Sequence, residues 1–194
     1  MIAFKGFSKD LKSVHGNGKA EDCCFVPGET KTAQRSKTQR EGYHCTENVF
    51  DCLRWHPLGG SSRIWKVEAS GDIDEGQDCQ ISCTQITLVK ELTILEIAME
   101  GMMFMIKHHR REGWQQDRRL LSVKEDQAEA EVGGIAIARG KDPRVKGQKD
   151  SILGIIIEDD GEIIDAGITK VKDGQEGKWL RLSWDHEWEE VDEI

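Results

Sequence analysis

The chain has no apolar run long enough to cross a bilayer and no surplus of basic charge. The first shortage argues against a membrane span, the second against a non-specific grip on nucleic acid, which needs Lys and Arg in excess to displace counterions. Lys and Arg number 27 against 36 Asp and Glu, a net charge of -9. The opening apolar residues are broken by Lys5, Lys9, Asp10 and Lys12, so no secretory core forms and a cytoplasmic location is expected. Catalytic signatures are missing too: no Ser/His/Asp motif, Walker loop, G-x-G-x-x-G or H-E-x-x-H. Tyrosine occurs once, against six tryptophans.

What is present is a polar chain, 32% charged and 37% hydrophobic, whose apolar runs recur along 194 residues. That length suits two small domains, each with its own core. The reading is α+β: a mixed or antiparallel sheet with a short helix and one long buried helix in residues 1–113. A charged linker follows over 114–131, then a small antiparallel β module over 132–194. The centre of the first domain is Arg40 to Gly71. A strand from Gly42 leads to Thr46, placed to cap a helix running to Trp55; Gly59-Gly60 stop it, and Arg63 to Ala69 alternate as a core strand, with a polar connection expected after Gly71. A short strand is expected around Cys23 to Val26, and a mobile stretch from Gly28 to Gln39. Thr93 to Glu96 has capping-box spacing and opens a helix to about Arg111, apolar nearly all round and therefore expected to be buried on more than one side. Farther on, Ile152 to Glu158 and Glu162 to Lys172 flank Asp160-Gly161, a turn pair that joins twisted strands.

Six cysteines in a reducing compartment invite a test for metal. His44, Cys45, Cys52 and His56 are the candidate ligands, with Cys23, Cys24, Cys79 and Cys83 elsewhere, yet no C-x2-C pair occurs. Buried free thiols, with no metal and no cofactor, are expected. Near the C-terminus Trp179, Trp184 and Trp188 cluster with Asp185, Glu187, Glu189 and Glu190; the rings either cover the core of the second module or form an aromatic anchor inside a negative rim that suits partner binding or homodimerisation.

The segments FKGF-SKDL, GYHCTENVFDCLRWHP, RIWKVEASGDID and TQITLVKELTI together resemble an uncharacterised family of phage and prophage accessory proteins. The AIARG, DDGEIIDAGITKV and GKWLRLS stretches resemble the hairpin module that ends many of them, without the Gly- and Ala-rich tract that often lies between. The resemblance implies a phage or mobile-element accessory protein in a bacterial host cytoplasm. With the acidic charge, it leads to the expectation of a host protein partner, a basic nucleic-acid-binding defence component inhibited in the anti-CRISPR manner, with no direct nucleic-acid or membrane contact. A second resemblance, to ADP-ribosyltransferase-like folds, sets Lys5, His44 and Glu68 as the alternative, nucleotide-binding or catalytic, constellation. There Lys5 stands in place of the usual Arg or His, and Glu68 lacks a neighbouring carboxylate or Gln.

Overall fold

A computed structural model of the chain describes residues 1–13, 24–37, 41–76 and 79–192. Of these, 53% are strand and 10% helix, which overturns the α+β expectation in favour of a mostly β protein. Two compact units divide the chain, Met1–Thr93 and Ile94–Ile194.

The first unit is a small closed barrel. Its strands are β1 (Ile2–Phe7), β2 (Thr30–Thr32), β3 (Tyr43–Thr46), β4 (Arg63–Glu75) and β5 (Gln80–Glu91), in the order β2-β5-β3-β1-β4. The 13 residues of β4 and 12 of β5 let those strands pair with each other as well as with β1 and β3, so β1, β3, β5 and β4 form a ring of four. Closure removes the sheet edges that an open sheet leaves unpaired. Ala3, Phe7, Cys45, Val67, Ala69, Ile81, Cys83, Ile86 and Leu88 belong to its core. β4 does not turn at Gly71. It continues to Glu75 because Gly71 forms a bulge at φ +75°, where any Cβ would stand 2.2 Å from Thr84 Oγ1. The expected helix from Thr46 is shorter than its pattern: Thr46 ends β3, and α1 (Val49–Cys52) is capped by Asn48, whose Oδ1 accepts from Phe50 N at 3.1 Å. Part of the stretch expected to be mobile forms β2, paired with β5. Cys23 and residues 38–40 lie outside the described residues.

The second unit begins with α2 (Ile94–Lys107) and continues through β6 (Gln116–Arg118), β7 (Leu121–Ala130), β8 (Ile135–Gly147), β9 (Ile152–Asp159), β10 (Glu162–Lys170), β11 (Trp179–Leu182) and β12 (Trp188–Val191). Residues 114–131, read as a linker, thus include β6 and all of β7. The sheet is mixed rather than antiparallel, since β7–β8 and β8–β9 are both parallel pairs. Four residues, 131–134, link β7 to β8, far fewer than straight parallel strands require. The pairing of β7 with β8 shifts register between Glu125 and Gln127, whose partners are Arg139 and Arg144, so residues 140–143 of β8 stand opposite Asp126 alone. The Asp160-Gly161 hairpin joins β9 to β10 as its turn chemistry dictates, with both residues at positive φ.

β8 and β9 are covered on both faces. On one, Ala136, Ala138, Leu153, Ile155 and Leu180 build a core; on the other, α2 lies so close that a Cβ on Gly154 would stand 2.5 Å from Met102 Sδ. Two-sided burial explains the uninterrupted apolar runs IAIA and ILGIII. The helix itself is not the long buried element expected. It spans 14 residues and buries one stripe, Ile97, Ala98, Gly101, Met102 and Met105, because one sheet face can cover one side of a helix; Met99 and Met103 stay 43% and 62% exposed. Among the described residues no helix is long and apolar enough to cross a membrane.

Candidate functional site

Strand alternation decides how the first candidates lie. Ala3, Lys5 and Phe7 share one face of β1, and the first and last of these belong to the barrel core, so Lys5 points the same way. Its ammonium group donates to His44 O at 2.6 Å and stands 5.6 Å from the Phe7 ring. Glu68 alternates with the core residues Val67 and Ala69 and is exposed on the opposite face of β4. Lys5 and Glu68 are therefore separated by the sheet, and the chain brings Lys5 to the His44 main chain rather than to a shared cleft with Glu68.

The thiols cluster within and beside the barrel. Cys45 is pushed well above its ordinary range by its hydrogen bond with Cys83 and by burial; the same bond holds Cys83 down, helped by the Lys5 charge and opposed by burial. Burial pushes the Cys52 thiol up to about 12. His56, stacked where a Gly6 Cβ would lie 2.3 Å from its Cδ2, has its pKa lowered by burial and then by the Lys5 charge. Cys24, Cys45, Cys52, Cys79 and Cys83 are all free thiols. Among the described residues no group of three or more His, Cys, Asp or Glu is disposed to hold a metal ion, so His44, Cys45, Cys52 and His56 do not converge.

The tryptophan-rich end sorts into three environments. Trp179 is buried beneath Lys146, whose Nζ stands 4.6 Å from its ring centroid, and Trp188 packs against the second core. Trp184 is 80% exposed at the tip of the β11–β12 hairpin. That tip is held by Ser183, whose N–H donates to Glu187 O at 2.9 Å while its Oγ accepts from Glu187 N at 3.2 Å. Glu189 and Glu190 pair with Arg181 at 3.0 Å and Lys178 at 2.8 Å across the hairpin. Asp185 and Glu187, both exposed, are the carboxylates left beside the ring.

Sequence reasoning passed over Arg139 and Trp114. Arg139 is buried, ion-paired with Glu158, and its Cζ lies 5.0 Å from the Trp114 ring centroid. The signal was there: a lone cation closing the apolar run Ile135 to Ala138 must be paid for by a partner.

Residues 1–100 match the model of one protein family, described as a domain of unknown function (DUF7666), and the match ends within α2. No curated protein and no solved structure matches the chain.

Proposed function

Since the chain belongs to the DUF7666 family, whose description supplies no activity, we propose from the chain's own surface that it is a non-enzymatic binding protein. Its second unit docks onto a basic protein partner through the Trp184 hairpin. The observation that carries this reading is Trp184 itself: a large ring 80% exposed on a hydrogen-bonded tip that also carries exposed Asp185 and Glu187. Tryptophan dominates the residues whose truncation costs most at interfaces, and a tip already ordered loses little entropy on docking. Acidic neighbours add electrostatic steering toward positive charge. The motif resemblance supports a phage or mobile-element origin, and with it a nucleic-acid-binding defence protein of the host as the partner, inhibited by occupation of its basic surface.

The test is affinity capture from bacterial lysate with the full chain and with Trp184→Ala and Asp185→Asn/Glu187→Gln, coupled to phage plating on cells with and without a nucleic-acid-targeting defence. The expected result is a basic protein retained by the native chain, lost with Trp184→Ala at unchanged melting temperature, and phage protection that follows the same order. Equal capture by native and Trp184→Ala chains, or no specific partner together with no protection, would overturn the reading.

A further inference from the structure

Beside its buried stripe, α2 carries a second apolar stripe that the protein leaves in water. Leu95 is 41% exposed, and Met99 and Met103 at least as much. Spaced by four, these three residues form one ridge about 80° wide, with half-buried Ile106 in line. From Leu95 to Ile106 the ridge runs about 16 Å along the helix. Apolar residues scattered singly over a surface need no explanation, whereas a continuous row of them marks a contact.

One edge of the ridge carries both signs of charge, sorted by end. Eleven residues complete three turns to within about 20°, so Glu96 and Lys107 stand on the same edge, one in the first turn and one in the last. Glu100 lies farther round. The pattern is complementary to itself when reversed. Turning the helix end for end about an axis level with Gly101 lays Met99 opposite Met103 and Glu96 opposite Lys107. A parallel pairing would instead oppose Glu96 to Glu96 and Lys107 to Lys107, which repel.

We propose that two copies of the chain associate through α2, antiparallel across a two-fold axis level with Gly101, packing their Leu95, Met99 and Met103 ridges together and pairing each Glu96 with Lys107 of the second copy. An isologous contact uses one patch twice, so a single helix has to carry both members of every pair, as α2 does. An anionic membrane surface also takes amphipathic helices, but it favours cations along the whole polar edge, where α2 carries Glu96 and Glu100. A contact about 16 Å long is at the small end for a specific interface, so the association is weak and the dilute chain is monomeric. None of the residues involved belongs to the Trp184 hairpin, and the two surfaces are tested separately.

The experiment is analytical ultracentrifugation of the full chain from about 1 to about 200 µM, with melting temperatures taken at the dilute end. The native chain is expected to pass from monomer to dimer across that range. Met99→Glu/Met103→Glu keeps good helix formers at exposed positions and is expected to stay monomeric throughout, with the melt unchanged. Glu96→Lys and Lys107→Glu each place like charges together twice in the symmetric dimer, and each is expected to weaken association by about tenfold or more. The combined Glu96→Lys/Lys107→Glu restores the pairing in reverse and is expected to return association to within about threefold of native. If the reversals melt early, the native chain and Met99→Glu/Met103→Glu decide alone. A native chain monomeric at every concentration, a dimer that survives Met99→Glu/Met103→Glu, or a folded combined reversal no tighter than the single ones would overturn the proposal. So would a dimer abolished by Trp184→Ala, which would place the contact on the hairpin.

Discussion

Cys52 shows how a single buried thiol makes the first unit less stable toward alkaline pH. Its pKa rises from an ordinary 9.0 to about 12 because burial excludes the thiolate. Between those values the unfolded chain has released the proton and the folded chain keeps it, so the unfolded state binds fewer protons and stability falls as pH rises. The contribution is fully present below pH 9 and is lost toward pH 12, by at most about 1.4 kcal/mol per pH unit. Other groups of the unfolded chain also release protons at alkaline pH, which makes the difference between variants the useful quantity. Urea unfolding of native and Cys52→Ala chains from pH 8.5 to 11 is expected to show a shallower decline for the variant. Parallel declines would mean that burial does not hold this proton.

At the scale of elements, α2 depends on one glycine. Gly154 faces Met102 and Ile137, and a side chain there meets Met102 Sδ at 2.5 Å and Ile137 Cγ1 at 3.0 Å. Gly154→Val therefore has to lift the helix or force both neighbours from their rotamers, and overpacking of this kind costs about 1–3 kcal/mol. Thermal melting of the variant tests it, with Met103→Gln on the exposed stripe as the control expected to leave stability within about 0.5 kcal/mol. If both substitutions leave the melt unchanged, α2 is not seated on β9 as the packing requires. The same elements show what a sequence discloses. The β9–β10 hairpin was legible because Asp160-Gly161 encode their turn locally. The pairing of β7, β8 and β9 was not, because an apolar run reports burial on both faces and leaves strand direction open. Gly71 misled for a related reason: a glycine that relieves a bulge inside a strand has the same local chemistry as one that ends it. Of the candidate site residues, Trp184 is exposed beside Asp185, whereas Trp179 and Trp188 pack at the second core, a division between the two readings that local pattern leaves open. Lys5 and Glu68 parted because period-2 alternation assigns them opposite faces, a relation that appears only once β1 and β4 are placed in register.

For the whole molecule the question is where independent folding begins. Each unit closes around its own apolar cluster, and the division falls between Thr93 and Ile94, so α2 belongs to the sheet it covers. Residues 1–93 contain every strand of the barrel and its ring of pairings, and are expected to melt cooperatively when expressed alone; residues 94–194 are expected to do the same. Extending the first fragment to residue 113 adds a helix whose buried stripe, Ile97, Ala98, Gly101, Met102 and Met105, then has no sheet beneath it. That fragment is expected to gain no stability over 1–93 and to bind a hydrophobic dye. Removing α2 from the second fragment, by starting it at residue 114, uncovers the face of β8 and β9 that carries Ile137 and Gly154, with the same consequence for dye binding and a lower melting temperature. Circular dichroism melts and dye fluorescence of the four fragments separate the outcomes. A barrel that needs residues 94–113 to fold would place the helix with the first unit and break the assignment of α2 to the second.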